Sequence, residues 1–95
     1  MGFAVSAAYA AGLVKKIAAS AAVRLRKNAE KINLGALWAE AHRLTSAWQR
    51  HAAAGMNGDA GLVSALSHAA RGGDTTSAIL LARKLADALE RVAAH

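Results

Sequence analysis

Cysteine and proline are absent from this sequence, and only four of its 95 residues are aromatic. Without cysteine the chain has no disulfide, no thiol nucleophile and no cysteine-ligated metal site. Without proline it lacks the residue that most strongly interrupts a helix. Alanine is correspondingly abundant, with 27 residues, and alanine has the highest helix propensity of all residues. Together these features predict an all-α protein.

Acidic residues are also scarce, since six Asp and Glu face twelve Lys and Arg and leave a net charge of +6. The imbalance lies in one half of the chain. Residues 1–50 carry eight basic and two acidic side chains, a balance of +6, whereas residues 51–95 carry four of each. An excess of one sign in one half of a chain indicates an anionic partner, such as a nucleic acid or a membrane surface.

Apolar residues recur at spacings of three and four, which is the period of an amphipathic helix. The pattern predicts four helices over about 3–31, 34–54, 60–71 and 75–93, with Asn33, Asp59, and Asp74 or Thr75 as caps. We find no alternating β pattern and no internal repeat. Short connections favour antiparallel neighbours. The sequence therefore predicts one domain over residues 1–95, a four-helix bundle with a long basic first helix and a short third helix.

The second predicted helix carries both tryptophans, and the other helices must cover its apolar stripe. Its apolar stripe is Leu34, Leu37, Trp38, Ala41, Leu44, Thr45, Trp48 and Ala52, and Glu40 and Arg43 fall on the other side. Alanine buries little surface, so the core of a single chain is thin and we expect a homo-oligomer. Tryptophans in such a stripe are often core anchors, and if the subunits pair we place Trp38, Trp48 and Leu44 at their interface.

Sequence motifs for catalysis are missing. The four histidines form no H-x-x-x-H or H-x-x-E pair, and the Gly-rich stretch at residues 55–61 lacks the Lys and the preceding strand of a phosphate-binding loop. Asp87 and Glu90 share a helix face with basic residues, and we expect Asp87 to pair with Arg83 and Arg91. We predict a non-enzymatic protein with no cofactor, no metal site and no small-molecule substrate.

The basic residues of the first helix are the candidate binding site. Arg24, Arg26 and Lys27 are close enough in sequence to contact adjacent phosphates, which would give salt-dependent affinity without sequence readout. The predicted nucleic-acid or anion-binding set is Lys15, Lys16, Arg24, Arg26, Lys27 and Lys31.

Two other interpretations remain open. In the first, the chain is a protein–protein adaptor or inhibitor and its charge only solvates it. In the second, the first helix lies on a membrane surface, with Phe3, Val5, Tyr9, Leu13, Val14 and Ile17 in the interface. The apolar run at residues 1–14 is too short to span a bilayer, which needs about 20 residues. We expect a cytoplasmic protein.

The stretch from Leu37 to Thr45 reads L-W-A-E-A-H-R-L-T, and the pair Ala65-Leu66 follows some twenty residues later. It resembles small, mostly uncharacterised helical accessory proteins of phages and prophages, which carry a W-x-x-A-H-x-L-T helix followed by a shorter helix with an A-L pair. The resemblance implies an accessory protein of a mobile element and brings no catalytic residues with it.

Overall fold

In the residues that it describes, a computed structural model of the chain contains four helices. It describes the backbone of residues 2–51 and 60–94 and the side chains of residues 12–47 and 61–94. The helices are α1 (Gly2–Glu30), α2 (Leu34–His51), α3 (Ala60–Arg71) and α4 (Thr75–Ala94). This four-helix, all-α architecture confirms the predicted fold class, including the long first and the short third helix. The predicted cap Asp59 lies outside the described residues.

The helices surround one core, with α1 and α3 diagonally opposed. In the described residues, α1 packs against α2 and α4, α3 also packs against α2 and α4, and α1 makes no contact with α3. Most buried residues of α1 and α4 are alanines, which allow close packing of the two helices. The buried core consists of Val14, Ala18, Ala21, Ala22, Leu25, Ala29, Leu37, Ala41, Leu44, Ala47, Val63, Leu66, Ala70, Ala78, Ala82, Leu85, Ala86 and Leu89.

The turn between α1 and α2 has the same hydrogen bonds as the turn between α3 and α4. In the first, Asn33 N–H donates to Asn28 C=O at 3.0 Å, and the Asn33 side chain accepts from Ala36 N–H at 3.1 Å. In the second, Asp74 N–H donates to Ala69 C=O at 2.9 Å, and the Asp74 side chain accepts from Ser77 N–H at 3.2 Å. Each turn thus ends one helix with a Schellman motif and caps the next with the same Asn or Asp.

These two turns belong to an internal structural repeat with an offset of 41 positions. The first hairpin, α1–α2, and the second hairpin, α3–α4, share seven buried positions when they are aligned at that offset. Leu25 corresponds to Leu66 and Leu44 to Leu85, and all four are fully buried. The expectation of no internal repeat is therefore wrong, because the repeat is carried by burial and backbone bonds more than by residue identity. The buried pairs are Ala22 and Val63, Leu25 and Leu66, Ala29 and Ala70, Leu37 and Ala78, Ala41 and Ala82, Leu44 and Leu85, and Ala47 and Ala88.

The two turns lie at opposite ends of the bundle. Arg24 and Glu40, each eight positions from Ile32, form an ion pair, so α1 and α2 are antiparallel as predicted. Arg26 pairs with Asp87 and Glu90, far from the start of α4. The molecule is 48 Å long and α1 alone accounts for about 43 Å, so α4 cannot project beyond the end of α1. It follows that α4 runs beside α1 in the same direction.

The buried face of α2 is rotated relative to the predicted stripe. Glu40, expected on the solvent side, is buried, and Trp38 and Thr45, expected in the stripe, are exposed. The reason is that α2 packs against α1 on one side and α3 on the other. Its buried face therefore includes Glu40 and Ala47, which point toward α1.

Candidate nucleic-acid interface

A buried carboxylate joins two arginines on the surface between α1 and α2. Arg24 donates from Nε to Glu40 Oε2 at 2.9 Å and from Nη2 to Oε1 at 2.7 Å, a bidentate pair. Arg43 Nη1 lies 3.5 Å from the same Oε2. The Glu40 side chain is only 4% exposed, whereas those of Arg24 and Arg43 are 43% and 67% exposed. The two guanidinium groups therefore share one buried anchor and reach solvent.

The other side of α1 carries a second ion-pair network. Arg26 donates from Nε and Nη2 to Glu90 at 2.9 and 2.7 Å and also pairs with Asp87. These hydrogen bonds, first to Glu90 and then to Asp87, raise the pKa of Arg26. The same contact with Arg26 lowers the pKa of Glu90. Two carboxylates thus neutralise Arg26. From the sequence we expect Asp87 to pair with Arg83 and Arg91 on its own helix, but it pairs with Arg26 of α1 instead.

The predicted basic set consequently divides among different sides of α1. At 100° per residue, Lys15 and Arg26 fall on the α4 side of the helix, Arg24 and Lys31 fall toward α2, and Lys16 and Lys27 lie between them, on the side away from the core. Lys16, Lys27 and Lys31 are exposed. We define the basic face as the described cations of the first hairpin that do not lie on the α4 side, namely Lys16, Arg24, Lys27, Lys31 and Arg43.

Arg43 and Glu40 were missed as site residues by the sequence analysis. A signal for Glu40 was present, since Leu37, Glu40, Ala41 and Leu44 follow the spacing of a buried helix face. An acid at such a position requires a cationic partner from a neighbouring helix. The partner could not be identified, because choosing among the basic residues of α1 requires the rotation of α1 against α2.

The three predicted interface residues have different outcomes. Trp38 is 40% exposed, and its ring stacks on His42 with centroids 5.5 Å apart and planes inclined by 15°. Leu44 is 1% exposed in the core of the single chain. Its assignment to a subunit interface is therefore corrected, because this fold leaves it no surface to offer a second copy. The Trp48 side chain lies outside the described residues.

The membrane interpretation loses part of its apolar face to the core. Val14 is buried, and Ile17 is partly buried and packs against the same cluster. The side chains of Phe3, Val5 and Tyr9 lie outside the described part of the chain. Within the part described, no helix has both the length and the apolar character needed to cross a membrane.

Neither metal-binding clusters nor similar proteins add to this picture. Over the described residues, no group of three His, Asp or Glu side chains is arranged to hold a metal ion. Comparison with family models, curated proteins and solved structures finds no match for the chain. The resemblance to phage accessory proteins accordingly stays a prediction, and the functional argument rests on the basic face.

Proposed function

We propose that this protein is a small, non-enzymatic binding protein that contacts the phosphate backbone of nucleic acid through the basic face. The observation that carries the proposal is that Arg24 and Arg43 share one buried acid, Glu40, on the same hairpin as the exposed Lys16, Lys27 and Lys31. Lysine and arginine on a helical surface bind phosphates without reading the base sequence. We further propose that the protein acts in the cytoplasm, as an accessory protein of a mobile element.

The placement of the acids supports this choice of face. Asp87 and Glu90 lie beside α1, but they pair with Arg26 on the α4 side. Lys16 and Lys27, eleven positions apart on the same side of α1, are separated by about 16 Å along the helix axis. That span is long enough for several phosphates of one duplex, whose charges lie about 1.7 Å apart along its axis.

Charge reversal at two sites tests the proposal. The variant K27E/K31E changes two cations of the basic face, and R83E/K84E changes two exposed cations of α4 by the same total charge. We expect K27E/K31E to weaken binding of a DNA duplex of about 20 base pairs at least tenfold, and R83E/K84E to weaken it no more than about threefold. Fluorescence anisotropy of a labelled duplex measures both. Equal losses would show that only net charge matters and would contradict the proposal.

An adaptor or inhibitor function is the second candidate, and the exposed Trp38 favours it. Tryptophan is enriched among the residues that dominate the energy of protein interfaces. A second copy of the chain is the first partner to test, since we also propose self-association. Sedimentation of wild type and Trp38→Ser decides this: a discrete oligomer that dissociates in the variant supports a Trp38 interface, and an unchanged state excludes it.

A further inference from the structure

The second hairpin shows whether folding requires a charged pair at the positions of Arg24 and Glu40. At the offset of 41, Arg24 corresponds to Ala65 and Glu40 to Leu81, both partly buried. The equivalent turn and the equivalent buried positions therefore form around an apolar pair. A charged pair at this place is not a requirement of the repeat.

A buried carboxylate is also a costly way to fill that place. Removing a charge from water costs several kcal/mol, and well-packed hydrophobic residues can replace buried ion pairs without loss of stability. Glu40 is nevertheless 3% exposed overall and bound by two arginines. Its presence is better explained by what it does to those arginines than by its contribution to packing.

From this comparison we infer that Glu40 is a positioning residue, which holds Arg24 and Arg43 as a fork for one phosphate group. The inference rests on the proposed function and names the site within the basic face at which a phosphate binds. Arg24 uses two of its five N–H donors on Glu40 and keeps three, and Arg43 uses one and keeps four. The free donors belong to side chains that reach solvent on adjacent helices, as bidentate phosphate recognition requires.

A pair of acid-neutralising variants tests the inference by the sign of the effect. Glu40→Gln and Glu30→Gln each remove one negative charge near α1, and Glu30 is exposed with no ion pair among the described residues. If charge alone mattered, both would bind duplex DNA more tightly. We expect Glu30→Gln to tighten binding about twofold and Glu40→Gln to weaken it about tenfold, because the arginines lose their anchor.

Glu40→Leu, which copies Leu81 of the second hairpin, provides a second variant whose folding the repeat already supports. Circular dichroism confirms folding of each variant before binding is measured. Tighter binding by a folded Glu40→Gln or Glu40→Leu protein would overturn the inference.

A titration with inorganic phosphate tests phosphate binding by the fork independently of nucleic-acid binding. Arginine Nε–H resonances report on phosphate at the guanidinium groups. We expect phosphate to shift those of Arg24 and Arg43 in the wild type and to have at most a third of that effect in Glu40→Gln. A Glu40-dependent response without duplex binding would retain the fork and refute the nucleic-acid proposal. No response, or an equal response in Glu40→Gln, would refute the fork itself.

Discussion

Ile32 holds a backbone conformation that β-branched residues avoid. Its φ is 54°, in the left-handed region, and it is the only non-glycine residue with positive φ in the described chain. It occupies the position after the helix end that usually carries glycine in a Schellman motif. The equivalent residue of the second hairpin is Gly73, with φ of 75°. The side chain of Ile32 is also 58% exposed, so burial offsets little of this strain.

Exchanging the residues of the two turns tests this account of Ile32. We expect Ile32→Gly to raise the free energy of unfolding by about 0.5–1 kcal/mol, because glycine adopts positive φ without steric cost. Gly73→Ile should lower it by about 1–2 kcal/mol. A side chain at position 73 would meet open space, so the penalty there arises from the backbone alone. Urea unfolding measures both, and destabilisation by Ile32→Gly would show that contacts of Ile32 outweigh its strain.

At the scale of the helices, Arg26 ties the second half of α4 to the end of α1. The pKa of Glu90 lies below its ordinary value because Arg26 donates hydrogen bonds to the ionised carboxylate. The carboxylate of Glu90 thus binds a proton less readily in the folded state than in the unfolded state. The resulting stabilisation is present above the ordinary pKa of Glu90 and is lost as the pH falls through its lowered value.

The variant Arg26→Gln therefore has a pH-dependent effect on stability. We expect it to be less stable than the wild type at about pH 6, with the difference shrinking toward zero at about pH 2, where the carboxylates are protonated. High salt should also reduce the difference, since the pair is exposed. Thermal unfolding over this pH range measures it, and a difference independent of pH would show that Arg26 acts through packing alone.

Helix positions were predictable from the sequence, whereas the rotation of helices against each other was not. The caps Asn33 and Asp74 mark the starts of α2 and α4 by local chemistry, and those predictions are confirmed. The placement of Glu40 on the solvent side of α2 and of Trp38 in its buried stripe failed for a different reason. A helix with two packed neighbours buries a face set by both of them, and the period of its own residues does not determine that face.

The basic face was predictable only in part for the same reason. Charge asymmetry along the chain led to the predicted set at residues 15–31, but those six basic residues do not form one surface. Arg26 belongs to the contact with α4, and Arg43 joins from α2. Both assignments depend on contacts between helices.

At the scale of the molecule, two equivalent hairpins share one core but differ in charge. Residues 1–51 carry the whole excess of +6, and residues 60–94 carry four basic and three acidic side chains. The repeat thus supplies the same packing twice and the basic face once. We infer that the second hairpin completes the core while the first makes the contact with phosphate.

Matched core substitutions test the equivalence of the hairpins. Leu25 and Leu66 are corresponding residues, and both are 0% exposed. We expect Leu25→Ala and Leu66→Ala each to cost about 2–5 kcal/mol and to unfold in one cooperative transition. Calorimetry checks both points. Two separate transitions, or a cost confined to one variant, would show that the hairpins do not share a common core.

The salt dependence of DNA binding by the wild-type protein tests the central claim most directly. If Lys16, Lys27, Lys31 and the fork of Arg24 and Arg43 together contact about four phosphates, the slope of log Kobs against log salt concentration is about −3 to −4. Anisotropy titrations of one duplex at several salt concentrations give this slope. Duplexes of unrelated sequence should yield the same value. Absence of binding at low salt, or a slope near zero, would contradict the assignment of the basic face to nucleic acid.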